Sequence, residues 1–113
     1  MPNDTEWDIL IAAVGDSSTA GTKLKAARGW NDYGIFEKES GNGTDTYSFS
    51  ALPGGVGISD GGFNYIGKYG NWWSASEYAA YGAYSRYMSY NSENVGKYNF
   101  NKSYLRSVRC VQD

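Results

Sequence analysis

The chain has 113 residues, a formal net charge of −2, one cysteine and no histidine. This length fits one hydrophobic core, so we interpret residues 1–113 as a single domain. The lack of histidine excludes the Ser–His and Cys–His nucleophile pairs and the usual zinc ligand, and no apolar run approaches the roughly 18 residues of a membrane span.

The first predicted element is an amphipathic helix. Its apolar residues recur at the i, i+3, i+4 and i+7 positions of one helix face: Trp7, Leu10, Ile11 and Val14. Asn3, followed three residues later by Glu6, has the pattern of a capping box, and Gly15 ends the helix. Residues 17–27 predict a second, shorter helix that Gly29 closes.

The middle of the chain, residues 30–70, is rich in glycine and contains the turn-forming phrases SGNGTD, LPGG and SDGG. Such frequent turn signals exclude long helices from this stretch. We expect its few apolar side chains to pin the loops to the core: Phe49, Leu52, Phe63 and Ile66.

Short strands separated by turns are predicted in the last third of the chain. They are Trp72–Trp73, Ala83–Asn91, Val95–Asn101 and Ser107–Gln112. Alternation along the second strand places Tyr84, Arg86, Met88 and Tyr90 on one face, and Ala83, Ser85, Tyr87, Ser89 and Asn91 on the other. In the last strand Val108 and Cys110 should point inward together. Helices first, glycine-rich loops next and a small antiparallel sheet last make an α+β fold.

The carboxylates do not form a pattern typical of catalysis or metal binding. Three of them lie in a polar loop and are expected to be solvated: Glu37, Glu39 and Asp45. The aspartates are spread singly among turns, which favours turn formation over calcium binding: Asp16, Asp32, Asp45 and Asp60. The triplet WND at residues 30–32 is similar to a calcium-binding triplet of lectins, but it precedes the strands where that triplet works. We therefore predict no enzymatic activity, no metal and no cofactor.

Four residues have roles that the sequence leaves open. Arg86, Arg106 and Arg109 either bind an anionic ligand or pair with carboxylates, and we expect a carboxylate partner for Arg109. Cys110 is either a small buried hydrophobe or half of a disulfide whose partner is missing.

The tyrosines concentrate towards the end of the chain, where eight of the eleven lie at or after Tyr69 among Asn and Ser residues. The same mixture dominates antibody paratopes, because Tyr gives a large contact area with few rotatable bonds. Some of these rings are expected to pack across strands, but so few Val and Ile residues favour a hydrated interface over a core. Residues 61–113 carry six Lys or Arg against three Asp or Glu, without the basic cluster typical of nucleic-acid binding.

Seven phrases occur in the order of one known family: PNDTEWDIL, AGTKLKA, FSALPGG, GGFNYIG, GNWWSASEY, SRYMSYNSENV and SVRCVQD. Over nearly its whole length the chain resembles the Fibrobacter succinogenes major paralogous domain, a family of bacterial surface-type domains related to the C-type lectin-like, formylglycine-generating-enzyme-like fold. The resemblance implies two helices flanking a small antiparallel sheet, with long loops over one side. It also implies ligand binding or adhesion at a bacterial surface or after secretion, and no enzymatic activity, because Cys110 alone does not match the reactive cysteines of the related enzymes.

The chain departs from this family at its start. Members have an upstream strand and a cysteine-containing phrase before the first helix, whereas this chain opens at Met1 and Pro2. We therefore expect the first strand to be missing and the domain to be N-terminally truncated. Because the two chain ends pair in lectin-like folds, residues 107–113 and Cys110 would then lack partners, unless a homo-oligomer forms by strand exchange.

A second resemblance concerns the tyrosine-rich tail. Domains of this type serve as variable proteins of diversity-generating retroelements, including phage-associated ones, in which randomised Asn codons yield Tyr, Ser, Asp, Gly or Phe but never a stop. Residues of that set here are Tyr87, Ser89, Tyr90, Asn91, Asn94, Gly96, Tyr98, Asn99, Phe100, Asn101 and Tyr104. All of these except Asn99 form our predicted binding surface for a protein or glycan ligand. The alternatives are an ordinary adhesion domain and a structural surface module that binds no soluble ligand.

Overall fold

The computed structural model describes residues 1–57, 62–104 and 106–109, and only the backbone of Phe63. Helices α1 (Asp4–Val14) and α2 (Ala20–Leu24) come first, followed by a two-stranded antiparallel ribbon of β1 (Val56–Gly57) and β2 (Phe63–Asn64). A three-stranded antiparallel sheet then runs through β3 (Tyr69–Ala79), β4 (Gly82–Ser89) and β5 (Gly96–Asn101), with β4 in the middle. This order confirms the predicted sequence of helices, loops and antiparallel sheet. In the described ranges no helix has the length and apolarity that crossing a membrane requires.

The predicted capping box of α1 is confirmed. The Asn3 side chain accepts a hydrogen bond from the Glu6 backbone N–H at 2.9 Å, and the Glu6 carboxylate accepts one from the Asn3 N–H at 3.2 Å. These bonds satisfy two of the N–H groups that a helix start leaves without partners. The predicted apolar face is also confirmed, because Trp7, Ile11 and Val14 are buried in the core.

Helix α2 is shorter at both ends than the predicted range of residues 17–27. At its C-terminal side Lys25 forms a parallel bridge with Ala51, and the Ala26 N–H donates to the Ala51 carbonyl at 2.9 Å. At its N-terminal side the Ser17 carbonyl accepts from the Val95 N–H at 2.8 Å. Backbone groups at both ends therefore bond to distant segments instead of continuing the helix.

The predicted loop anchors are confirmed only in part. Phe49 packs against the core as expected, but Leu52 and Ile66 are 42% and 68% exposed, so their prediction as anchors is wrong. The side chain of Phe63 lies outside the described residues. The main anchor is Trp30, which is 4% exposed and donates its indole N–H to the Ala51 carbonyl at 3.0 Å.

The sheet is larger than predicted at its start and less regular at its end. Strand β3 extends well beyond the predicted Trp72–Trp73 pair, with register shifts after Trp73. Of the predicted last strand, Ser107 makes an isolated parallel bridge to Trp72, while Val108 is 57% exposed, so its predicted inward direction is wrong. Cys110, with residues 111–113, lies outside the described residues, as does Asp60.

A buried arginine fixes which face of the sheet packs against α1. Arg86 is 2% exposed, and its guanidinium lies 3.0 Å from the Asp8 carboxylate and 3.6 Å from that of Asp4, both on α1. Lys97 of β5 also pairs with Asp4, at 2.9 Å. Met88 lies on the same face of β4 as Arg86, as the alternation predicted, and is fully buried, so this is the face that packs against α1.

The protonation state of Asp4 should make the free energy of unfolding depend on pH. Burial disfavours its charged form, but hydrogen bonds from Ser74 and Lys97, and the positive charges of Lys97 and Arg86, lower its pKa below the ordinary value of 3.8. A carboxyl group with a lower pKa in the folded state stabilises the fold above its unfolded pKa. That contribution is lost as the pH falls through the folded value.

We therefore expect Asp4→Asn to lower the free energy of unfolding at pH 7 by on the order of 1 kcal/mol, because charge-assisted hydrogen bonds become neutral ones. The difference from the wild type should shrink as the pH falls below the ordinary carboxyl pKa of 3.8. This difference in the free energy of unfolding is measured by urea unfolding, monitored through tryptophan fluorescence at a series of pH values. Asp32→Asn, a change of an exposed carboxylate, is the control. A difference that stays constant over the whole pH range would contradict this role.

Candidate functional site

The face of the sheet that points away from α1 carries a group of aromatic side chains. Tyr87 of β4 precedes the core residue Met88, so its ring points to this outer face. The register with β5 places Tyr98 and Phe100 opposite the β4 residues two and four positions before Tyr87. All three rings therefore lie on the same side of the sheet, and the centroids of Tyr98 and Phe100 are 5.2 Å apart.

These rings line a cleft of about 400 Å³, which we call the tyrosine cleft. Its walls come from β1, β3, β4, β5 and the segments before and after the sheet: Val56, Tyr65, Tyr69, Asn71, Tyr87, Tyr98, Phe100 and Arg106. The volume lies within the roughly 300–1,000 Å³ of small-molecule sites. Tyr65 and Tyr98 are 55% and 59% exposed, so both rings are accessible to a ligand.

Arg106 brings a half-buried positive charge to the tyrosine cleft. Its guanidinium lies 4.1 Å from the ring centroid of Phe100 and 5.6 Å from those of Trp73 and Tyr104, distances typical of cation–π contacts. Burial lowers the pKa of the Arg106 guanidinium, although arginine stays protonated in proteins. The aromatic wall therefore holds a cation in place beside the cleft.

Tyr65 has a strained backbone. Its φ of 66° is in the left-handed region, which a bulky residue rarely adopts. In this conformation its ring packs edge-on against Tyr69, with centroids 5.2 Å apart, and both rings line the tyrosine cleft. Such strain is concentrated at functional sites in proteins.

Half of the predicted binding residues meet at or beside the tyrosine cleft: Tyr87, Gly96, Tyr98, Phe100 and Tyr104. Gly96 pairs with Tyr87 across the strands, and a side chain at this position would overlap the Tyr87 ring. The Tyr104 ring does not line the cleft but packs 6.3 Å from that of Phe100.

The other predicted residues lie elsewhere: Ser89, Tyr90, Asn91, Asn94 and Asn101. Asn101 accepts a hydrogen bond from the Ser103 N–H at 2.9 Å and so belongs to a turn. Tyr90 and Asn91 line a second cleft of about 500 Å³, and Ser89 and Asn94 bond to its residues Asn91 and Ser92. This polar cleft is lined by Ser18, Thr22, Lys25, Tyr33, Ser40, Asn42, Tyr90, Asn91, Ser92 and Glu93.

The arginines other than Arg106 have structural contacts. We expected a carboxylate partner for Arg109, but the arginine that forms ion pairs with carboxylates is Arg86. Arg109 lies over the Phe49 ring, 4.2 Å from its centroid. Its charge also contributes, after hydrogen bonds from Ser50, to the lowered pKa of Asp45.

The loop carboxylates make local contacts. Asp45 accepts hydrogen bonds from the Ser50 N–H at 2.8 Å and from its hydroxyl at 2.7 Å. Glu39 is exposed, and its hydrogen bond raises the pKa of Tyr33. Asp16 accepts from the Ser18 N–H at 2.9 Å. Among the described residues, no three His, Cys, Asp or Glu side chains are grouped closely enough to hold a metal ion.

The family model described as the Fibrobacter succinogenes major domain matches residues 1–112. The chain belongs to this family. The family resemblance of the sequence is thereby confirmed. No curated protein and no solved structure matches the chain.

Several cleft residues of this Fibrobacter succinogenes major domain were not predicted from the sequence: Val56, Tyr65, Tyr69 and Asn71. A signal for two of them was present. Tyr69, Asn71 and Trp73 alternate along the chain and share one face once β3 is extended to Tyr69. No comparable pattern indicates Val56 or Tyr65. Val56 is brought to the cleft by β1 of the ribbon, and Tyr65 by the loop that follows β2.

The contact between Gly96 and Tyr87 predicts how this domain responds to one added methyl group. Gly96→Ala should displace the Tyr87 ring and lower the free energy of unfolding by about 1–3 kcal/mol, because the new Cβ overlaps that ring. Gly54→Ala is the matched control. Among the described residues its Cβ would meet Ser107 Oγ alone, at an ordinary 3.5 Å, so stability should change by less than about 0.5 kcal/mol. Urea unfolding and the NMR resonances of the Tyr87 ring measure both effects. Unchanged Tyr87 resonances in Gly96→Ala would show that the contact is not present.

Proposed function

We propose that the domain is a non-enzymatic binding or adhesion module that captures a protein ligand in the tyrosine cleft. The single observation that supports this function most directly is the cleft itself, which is lined by four tyrosines, a phenylalanine and a half-buried arginine. Tyr and Arg are among the residues that contribute most to protein–protein binding energy. Tyr rings also lose little conformational entropy when a partner binds, because each has only two side-chain torsions.

A protein ligand fits the chemistry of the cleft better than a strongly charged polymer. The walls are mostly aromatic and carry one arginine, whereas nucleic-acid sites present many cations. Tyr98 and Tyr65, both more than half exposed, would lose water-accessible apolar area on binding. The hydroxyl at the tip of each ring can hydrogen-bond to a partner backbone.

A C-type lectin-like fold is part of the proposal, and the contacts of both terminal segments support it. The Ala75 N–H donates to the Pro2 carbonyl at 2.8 Å, and the Trp73 N–H donates to the Ser107 carbonyl at 3.0 Å. Both ends of the described chain thus contact β3. Ser107, which we expected to lack a partner, thus finds one in β3, next to the segment that contains Pro2. Such an approach of early and late segments is what a lectin-like fold implies.

The tyrosine cleft gives a direct test. Peptides are selected from a random phage-displayed library on the immobilised domain, and their affinities are measured by fluorescence anisotropy. Tyr98→Ala should weaken the selected peptides roughly tenfold or more, as expected for a central aromatic contact. Because Tyr98 is 59% exposed, the free energy of unfolding should change by less than about 1 kcal/mol.

Tyr81→Ala is the matched control, because Tyr81 is 65% exposed and lies outside the tyrosine cleft. Peptides that bind Tyr98→Ala as well as they bind the wild type would overturn the proposed site. If a glycan array gives binding at the cleft where peptides do not, the ligand is a glycan. A stable oligomer in light scattering that loses its contacts in Tyr98→Ala would favour a structural assembly module.

The proposal includes diversification of the cleft by a retroelement. The residues at positions 87, 98, 100 and 104 all belong to the set that randomised Asn codons produce, and all four lie at or beside the cleft. The buried residues Met88 and Trp72 do not belong to it, which suits a constant scaffold.

Sequencing the DNA downstream of the coding region tests this part. We expect a near-copy of the segment for residues 84–109 that carries Asn codons at the cleft positions. If the downstream region contains no such copy, an ordinary adhesion domain is favoured over a diversified one. The interpretation of the peptide experiment would not change.

A further inference from the structure

The polar cleft differs in chemistry from the tyrosine cleft, and no residue that the structure describes lines both. It lies between α2, the loop of residues 33–42 and the turn that follows β4. Its volume of about 500 Å³ is within the range of small-molecule sites. The lining is composed of hydroxyl, amide, ammonium and carboxylate groups together with two tyrosine rings.

Its walls are held by backbone hydrogen bonds. The Gly21 N–H of α2 donates to the Glu93 carbonyl at 2.9 Å. Any side chain at Gly21 would overlap the Glu93 and Asn94 carbonyls, so this approach requires glycine. On the opposite side, Gly41 makes a similarly close approach to Tyr90. The cleft is therefore formed before a ligand arrives, which lowers the entropic cost of binding.

Lys25 supplies a buried cation to this cleft. It is 4% exposed, and its ammonium group donates to the carbonyls of Ser89 and Ser92, each at 3.0 Å. An ammonium group has three N–H donors. Within the described parts of the chain these two carbonyls are its hydrogen-bond acceptors, and the Trp30 ring centroid lies 5.3 Å from the ammonium nitrogen. The third N–H therefore has no oxygen acceptor among these residues, and Lys25 lines the cleft.

Two amide side chains add further donors. Asn42 accepts from the Trp30 N–H at 2.9 Å through its side-chain oxygen, and Asn91 accepts from the Ser89 hydroxyl at 2.8 Å in the same way. Each amide uses its oxygen within the protein, and its NH₂ group is the remaining donor. Both residues line the polar cleft.

The charge of the cleft disfavours an anionic ligand. Glu93 also lines the cleft, and its negative charge acts on Lys25 against the lowering of the lysine pKa by burial. An anion that reached the ammonium group would also meet this carboxylate. An uncharged polyol avoids this repulsion, because each of its hydroxyl groups can accept a hydrogen bond from the lysine or the amides and donate one to Glu93.

The aromatic pair in the cleft favours a ring-shaped ligand. Tyr33 and Tyr90 pack edge to face, with centroids 6.3 Å apart, and both line the cleft. A sugar ring presents apolar C–H groups as well as hydroxyls, so it suits a site that combines aromatic faces with polar donors. From these groups together we propose that the polar cleft binds a neutral hexopyranose.

The probes are the methyl hexopyranosides of glucose, galactose and mannose. Their binding to the whole chain is measured by saturation-transfer NMR and titration calorimetry. At least one neutral hexoside should bind with measurable saturation. Asn91→Asp keeps the oxygen that bonds Ser89 but replaces a donor with an acceptor, so it should weaken binding about tenfold. Asn64→Asp, an equal charge change at an exposed position outside the cleft, should leave the affinity unchanged.

Two further measurements complete the test. Lys25→Met should abolish hexoside binding, and circular dichroism shows whether this variant folds; if it does not, Asn91→Asp decides alone. Glucuronate and glucosamine should bind more weakly than the neutral probe. No binding of any neutral hexoside to the wild type, tighter binding of glucuronate, or full affinity in Asn91→Asp would each overturn the proposal. Tyr98→Ala should bind the hexoside with wild-type affinity, because Tyr98 lines the tyrosine cleft and not the polar cleft. A negative hexoside experiment would therefore overturn the sugar site without bearing on the proposed function of the tyrosine cleft.

Discussion

The ion pairs of Arg86 determine how the helices and the sheet are arranged. A guanidinium almost removed from water is costly unless carboxylates compensate it, and breaking such a pair leaves an uncompensated charge. Its partners, Asp4 and Asp8, both lie on α1. The helix must therefore cross the face of β4 that carries Arg86 and Met88. The alternate residues of β4, including Tyr87, are then directed to the outer face, where the tyrosine cleft forms.

The same charge cluster also fixes the register of β5. Lys97 pairs with Asp4 at 2.9 Å, and its ammonium lies 4.5 Å from the ring centroid of Tyr84. With Lys97 held on the helix side, Tyr98 must point to the outer face. A slip of one residue would move every side chain of β5 to the opposite face, taking Tyr98 and Phe100 out of the cleft. Charges on one face of the sheet thus position the aromatic rings on the other.

The fold was predictable from sequence where its causes are local. The capping box of Asn3 and Glu6 needs only residues three apart, and it was predicted correctly. The end of α2 depends instead on Ala51, a partner far along the chain that no local pattern indicates. Two of the predicted loop anchors, Leu52 and Ile66, were wrong for a related reason. Both are apolar enough for the core, but the residue buried there is Trp30, whose indole N–H donates to the distant Ala51 carbonyl.

The grouping of the predicted binding residues did not follow from composition, because composition says nothing about which face of a strand a residue occupies. Tyr87 and Tyr90 are three residues apart, and they line different clefts. Alternation along β4 had already placed them on different faces. The tail therefore supplies two surfaces, one in which aromatic rings surround Arg106 and one in which amides and hydroxyls surround Lys25. Changes at Tyr98 and changes at Asn91 should then act independently of each other, since the two clefts have no lining residue in common within the described ranges.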